Sequence, residues 1–484
     1  MIGSSDGKGV ESMNEKIREL LRQIPSMEVL LSEAWVARFE EKLGRRAVKG
    51  VFAEIIGEIR KSLLDGDSVS ADVVHIRNAA QSRLSKVSSP SLVPVVNATG
   101  VVIHTNLGRS CLSESAIKAV AECSRGYSTL EFDLEKGERG QRNDHVEWLL
   151  CQVTGADSAL VVNNNAGAVI LSLSALSSGR EAIVSRGELV EIGGSFRIPD
   201  IMSASGTRLV EVGTTNRTHL RDYESAISEN TAMILKVHPS NFRIVGFQSE
   251  VSREDLASLA REKELVFMED LGSGFLLDPE SCGLSGEISV RESIMSGADL
   301  VTFSGDKMLG GPQAGIIAGR SQLVGKLKKH PLMRALRPDK MTLAALEATL
   351  REILSGNAKA VPTLGMISIG REALHAKATR LCRILRRSCP GFSFSTVTTQ
   401  DAVGGGSYPE TPLEGYAVSV LHPSLSSGVL QRKLREAEFP VIAGAREGAV
   451  LLHVRTLRDD DFRLIRSALA RIAADAGDET DVEA

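Results

Sequence analysis

One lysine stands where an open α/β sheet would offer it to a ligand. The stretch Val301-Thr-Phe-Ser304-Gly305-Asp306-Lys307 closes an apolar run, and Gly310-Gly311 follow. Open α/β sheets bind ligands beyond the carboxyl ends of their strands. Partial dehydration there lowers an amine's pKa and suits it to a Schiff base with an aldehyde cofactor. Ser304, three residues earlier, can offer its hydroxyl to a phosphate. Alone, Ser-x-x-Lys before glycines also fits a surface loop. A second apolar run, Leu265–Met268, closes in Glu269-Asp270-Leu271-Gly272-Ser273-Gly274. An aspartate there can keep a pyridine nitrogen protonated, and so keep the ring an electron sink. Alone, it reads as a loop acid or a helix cap. Together and in this order, the acid and the lysine reinforce each other. A third piece, Val161-Val162-Asn163-Asn164-Asn165-Ala166-Gly167, is a strand, a polar turn and small residues opening a helix. Free N–H groups and the helix dipole bind phosphate at such a start.

These residues need a sheet to hold them. Short apolar runs at Ala159–Asn163, Glu181–Ser185, Thr207–Val212, Ala232–Val237, Leu265–Met268, Ala298–Phe303 and Gly315–Ile317 alternate with helical stretches. They lack strict polar alternation, as strands buried on both faces do. The rhythm predicts an α/β fold with a mostly parallel sheet between helices, over residues 89–362. Before it, residues 13–88 read as helices (Asn14–Gln23, Val29–Leu43, Arg45–Leu64, Ala71–Ser85), with Ser70 or Asp72 as a cap. Ser88-Ser89-Pro90-Ser91 is the linker. After the sheet, residues 363–474 read as a smaller α+β lobe. It has a basic helix Arg371–Arg387, strands at Phe392–Thr398, Tyr416–Val420 and Ala449–Val454, and a last helix Asp459–Ala474. Residues 1–12 and the acidic 475–484 read as a disordered leader and tail.

The 484 residues are 42% hydrophobic and 24% charged, the balance of a globular chain of more than one domain. No apolar run is long enough for a bilayer, and no signal core precedes the first helix, so the cytoplasm is the default compartment. The six cysteines form no CxxC pair and have no histidine cluster beside them, so no metal site is expected. Net charge is −4, yet residues 321–390 hold fourteen Lys/Arg against four acids. That local excess of ten suits an anionic substrate or nucleic acid, and equally a solvated helix face. His238 reads as a satisfied structural histidine. Arg139 and Arg142 read as phosphate or subunit contacts, or as ion pairs with local acids. Glu188 and Glu191 lie near the end of a strand, where one could cover a ring face.

The order of phosphate turn, Asp and Ser-x-x-Lys resembles fold-type I pyridoxal-5′-phosphate (PLP) enzymes. More narrowly, the chain resembles the bacterial L-seryl-tRNA(Sec) selenium transferases, the selenocysteine synthases. The stretches that carry this are 97–109 (NATGVVIHTNLGR), 160–165, 185–199, 238–247, 269–274 and 303–307. The likeness runs from about Ile17 to about Leu457. It implies that PLP is held by Lys307, Asp270, Ser304, Asn163, Asn164, Asn165 and Ala166. It implies conversion of seryl-tRNA(Sec) to selenocysteinyl-tRNA(Sec), through a PLP aldimine and an aminoacrylyl-tRNA. Lys307, Asp306 and Asp270 would be catalytic, and Arg109, Arg334 and Arg337 would bind selenophosphate. The i, i+3 spacing of Arg334 and Arg337 lets two guanidinium forks share a face, apt for a tetrahedral oxyanion. The resemblance further implies that residues 13–88, with Arg45, Arg46 and Lys49, grip the tRNA, and that the protein is a homodecamer, a pentamer of dimers. A PLP lyase or aldolase acting on a small amino acid or sugar acid is the alternative, and a tRNA-binding protein without catalysis the more distant one.

Overall fold

The structure is a computed structural model. It describes residues 17–481 except 68, 193–195, 240, 241, 243, 285, 409 and 410, and only the backbone of 192, 196, 281 and 476–481. The expected leader therefore lies outside the described residues. The chain divides into two compact units, up to Pro94 and from Val95 onward.

In the first unit, helices cover Met27–Leu31, Ala37–Leu43, Arg45–Leu64 and Val73–Val87. Val48, Phe52, Ile55, Ile59 and Leu63 recur every three or four residues, and they share one core with Ile76, Ala80 and Leu84. The last helix is capped by Asp72, which accepts from the His75 N–H at 2.7 Å. The expected single helix Val29–Leu43 is instead broken at Ser32–Val36. The Ser32 hydroxyl bonds back to the Val29 carbonyl at 2.8 Å. Glu33 is drawn to Arg77 at 2.7 Å, which holds the break open.

The larger unit contains a seven-stranded sheet. Its spatial order is Ser158–Val162, Gly315–Gly319, Leu300–Ser304, Val266–Gly272, Thr231–Val237, Glu181–Ser185 and Arg208–Val212. All strands are parallel except Gly315–Gly319, which runs against both neighbours. Successive residues point to opposite faces, and each face is buried. Val161, Ile183, Ile234, Phe267 and Val301 enter one core, while Leu160, Val162, Ala182, Met233, Met268 and Leu300 enter another. That double burial explains the missing polar alternation.

A six-stranded sheet forms the C-terminal lobe, in the order Val96–Ala98, Val441–Arg446, Ala449–His453, Leu413–Leu421, Ser393–Gly404 and Val101–Ile103. Residues 96–103 were expected to open the large domain, and here they form both edges of the smaller sheet. Two three-residue strands are too short to show a period of their own. Asp401 ties this lobe together from within: His453 Nδ1 lies 2.7 Å and Arg455 Nε 2.9 Å from its two oxygens. The last helix runs Asp461–Asp481, past the expected stop at Ala474 and over most of the stretch expected to be a disordered tail. No proline interrupts 461–481.

Candidate active site

Three strand ends and one loop supply the site. Asp270, near the end of Val266–Gly272, stands in register with Thr302 of the neighbouring strand. It is 3% exposed. Its Oδ1 accepts from Asn165 Nδ2 at 2.9 Å and from Thr302 Oγ1 at 2.9 Å. Burial pushes the Asp270 pKa up, while these two donors and the Lys307 charge pull it down. Both side-chain donors end on one oxygen, which fixes the carboxylate plane. Oδ2 makes no side-chain hydrogen bond among the described residues.

Lys307 lies in the turn after Leu300–Ser304 and is 6% exposed. Burial lowers its amine pKa, Asp270 opposes that, and Arg109 adds to it. The amine is 3.8 Å from where a side chain at Gly272 would begin, so it packs against the strand end that carries Asp270. The Met308 N–H donates to the Ser273 carbonyl at 3.0 Å, clamping the lysine turn to the next strand end. Gly274 makes this possible. Its φ is +74°, and a Cβ there would sit 2.7 Å from the Phe303 ring.

A loop far back in the sequence closes the other side. Ser110 Oγ donates to the Lys307 carbonyl at 2.7 Å, and both Asp306 oxygens accept from Arg109 Nη1 at 2.9 and 3.1 Å. Arg109 holds φ +62°, a strained backbone for a long side chain.

Asn164 caps the helix Asn165–Leu176 by accepting from the Gly167 N–H at 2.8 Å. Ala166 lies in its first turn. The Asn163 N–H is taken by the Leu336 carbonyl at 2.9 Å. Ser304 is buried, and its hydroxyl makes no hydrogen bond among the described residues. Asn165 was expected to face a phosphate, but its amide nitrogen is spent on Asp270 and its oxygen is buried without a partner. Asn165, the first residue of the helix after Ser158–Val162, reaches across two intervening strands to the acid on Val266–Gly272.

The three anion-site arginines share no hydrogen-bond or ion-pair partner among the described residues. Arg337 pairs with Glu131 at 3.2 Å and lines a separate cavity of about 180 Å³ with Arg139, Arg142 and Lys328. Glu131 also holds Arg139 and Arg142, at 2.9 and 2.6 Å. Arg334 is exposed, on the short helix Leu332–Ala335. Among the described residues no hydrogen bond joins Arg334 or Arg337 to Arg109, Asp306 or Lys307.

A larger cavity of about 350 Å³ is lined by Glu188, Lys236, His238, Glu287 and Tyr408 among others, and the His238 N–H donates to the Asp270 carbonyl at 2.9 Å, which ties its wall to the strand end that carries the acid. Glu188 covers no open face; it pairs with Lys236 at 3.2 Å and accepts the Val237 N–H at 2.9 Å. His238 corrects the sequence reading: its Nδ1 is buried without a partner, and burial lowers its pKa to about 4. Sequence reading passed over Thr302, which its strand position could have marked, and no sequence signal marked Glu287 or Tyr408. Among the described residues no His/Cys/Asp/Glu group could hold a metal ion.

A buried lysine and a donor-fixed aspartate at adjacent ends of this sheet define a fold-type I enzyme of the PLP-dependent class, as the sequence had suggested. A solved D-glucosaminate-6-phosphate ammonia-lyase shares the fold at 21% identity and a TM-score of 0.57, covering 80% of this chain and 97% of that one. The chain belongs to the L-seryl-tRNA selenium transferase family, which it matches over residues 95–458, and residues 21–60 match the selenocysteine synthase N-terminal family. An L-seryl-tRNA(Sec) selenium transferase of Desulfomicrobium baculatum is 49% identical over 462 residues, covering 94% of this chain and 99% of the relative. One from Clostridium perfringens is 47% identical over 458 residues, with the same coverage.

Proposed function

We infer that this chain converts L-seryl-tRNA(Sec) to L-selenocysteinyl-tRNA(Sec), with selenophosphate as the selenium donor and PLP on Lys307. The observation that carries the reading is the Lys307 amine, buried and lowered in pKa, at the strand end beside Asp270. The site residues fit the cofactor. Asp270 has a fixed carboxylate for a pyridine nitrogen, the Asn163–Ala166 turn has a helix start for a phosphate, and buried Asn165 Oδ1 and His238 Nδ1 lack partners. When bound, PLP supplies an electron sink for a carbanion at the seryl α-carbon.

The chain's own residues do the rest. The Lys307 amine would take the α-proton, since burial lowers its pKa and so favours the neutral form that accepts one. Asp270 keeps the ring nitrogen protonated. Ser304 and the turn hold the phosphate. Asp306 fixes Arg109 beside the lysine, and Arg109 with Arg334 and Arg337 binds the selenophosphate oxyanion. The pocket is completed by a second copy in a homo-oligomer, a decamer of five dimers by family resemblance. Residues 13–88 hold the tRNA, and the cytoplasm supplies it. No helix among the described residues is long and apolar enough to cross a membrane.

The test is direct. Holoenzyme is incubated with seryl-tRNA(Sec) and selenophosphate, and the tRNA-bound amino acid is identified. Selenocysteine from the wild type and none from Lys307→Ala supports the reading. Serine left intact on the tRNA while a free amino acid or sugar acid is turned over refutes it.

A further inference from the structure

The β-hydroxyl of a seryl group is a poor leaving group, and it needs a proton as it departs. The acid beside the lysine does not meet that need, because both Asp306 oxygens are engaged by Arg109. Another acid is better placed. Glu287 lines the 350 Å³ cavity together with His238, whose N–H bonds the Asp270 carbonyl; it is near enough to Lys307 for the two charges to act on each other, and its Oε2 is buried with no hydrogen-bond partner. Its other oxygen accepts the Tyr408 N–H from the C-terminal lobe. Tyr408 holds φ +49° to deliver that bond, a strained backbone at the edge of the cavity. The Tyr408 hydroxyl and His238 Nδ1, in the walls of the same cavity, are also buried without partners. Three polar atoms without partners around one space mark a place for a polar group that the free protein lacks.

We propose that Glu287 is the general acid that protonates the departing seryl hydroxyl. The proposal rests on the function inferred above. In the step, the Cα–H bond breaks and its proton goes to the Lys307 amine. That electron pair becomes the Cα=Cβ bond as the Cβ–O bond breaks. The oxygen leaves with the Cβ–O pair, takes the proton from Glu287 and departs as water. Glu287 recovers its proton from solvent through the cavity.

The electrostatics agree with the geometry. Burial raises the Glu287 pKa to about 7, while the Tyr408 N–H, the Ser273 side chain and the Lys307 charge pull it down. Lys307, from the turn after Leu300–Ser304, is the charge acting on it, and Glu287 in turn raises the Tyr408 phenol. Lys236, His238, Glu250 and Arg253 line the same cavity. A general acid must hold its proton, so elimination falls as pH rises through about 7.

The experiment is single-turnover elimination by holoenzyme without a selenium donor, on seryl-tRNA(Sec) and on the same tRNA carrying β-chloroalanine. Chloride leaves without a proton. Glu287→Gln should slow the seryl ester about a hundredfold and leave the chloroalanyl ester almost unchanged. The wild type should show an alkaline limb near pH 7 with the seryl ester that vanishes with the chloroalanyl ester, a comparison that needs no variant. Borohydride capture of cofactor at Lys307 should be equal in wild type and Glu287→Gln. Equal slowing of both esters, or an alkaline limb indifferent to the leaving group, overturns the proposal. A wild type inert toward both esters overturns the inferred function instead.

Discussion

Removing one donor from Asp270 should alter cofactor affinity in a pH-dependent way. Asn165→Ala deletes a 2.9 Å hydrogen bond to a carboxylate that is 3% exposed. A buried bond to a charged acceptor is worth about 2 kcal/mol. Only the ionised carboxylate benefits, so its loss raises the Asp270 pKa further. The sign follows from which form binds. A protonated pyridine nitrogen needs the ionised acid, and the variant ionises at higher pH. Below the wild-type Asp270 pKa, the variant's dissociation constant for PLP should be up to about thirtyfold higher. Above the variant's own pKa, both proteins are ionised and the ratio should fall toward one. Equilibrium titration of PLP into apoenzyme, followed by absorbance across the neutral range, gives this ratio at each pH. A ratio that is constant with pH, or affinity unchanged throughout, would refute the claim that Asn165 acts by holding Asp270 ionised.

Other outcomes are expected elsewhere in the chain. Asp401→Ala strips the partner from Arg455, which is 3% exposed, and from His453; it should cost about 3–5 kcal/mol in chemical denaturation, and a loss under 1 kcal/mol would show that the cluster is not a strong tie. Gly274→Ala forces a side chain onto the Phe303 ring at a positive φ, so lysine-bound cofactor should fall sharply in borohydride capture while the N-terminal unit keeps its helical signal. Arg46→Glu with Lys49→Glu reverses two exposed charges on the helix Arg45–Leu64; tRNA affinity should drop, and the slope of log affinity against log salt should shrink by roughly 1–2, as read by filter binding.

The residues that sequence reading finds are those whose chemistry coincides with a strand end. Lys307, Asp270, Ser304 and Asn164 all lie within four residues of the end of an apolar run, so the runs themselves point to the sheet's binding edge. Partners are harder to find than positions. The Asn165–Asp270 bond spans 105 residues and the Arg109–Asp306 pair spans 197, and nothing local encodes either. Thr302 could have been found: it lies two residues before Ser304 on a parallel strand, and strand order would place it opposite Asp270.

Glu287 is the instructive miss. It sits in a loop between Leu284 and Ser289, with no strand end, glycine motif or second acid nearby to mark it. Its character comes from the backbone of a residue 121 positions later, in another lobe, and from the burial that the two lobes create together. A carboxylate next to Tyr408 in a freely solvated chain would have the ordinary carboxylate pKa. What makes it an acid near neutrality is lost water, and lost water is a property of packing that no spacing of residue types records. Strand ends therefore point to the proposed base of this site from sequence, whereas its proposed acid becomes visible only once the C-terminal sheet has folded against the large one.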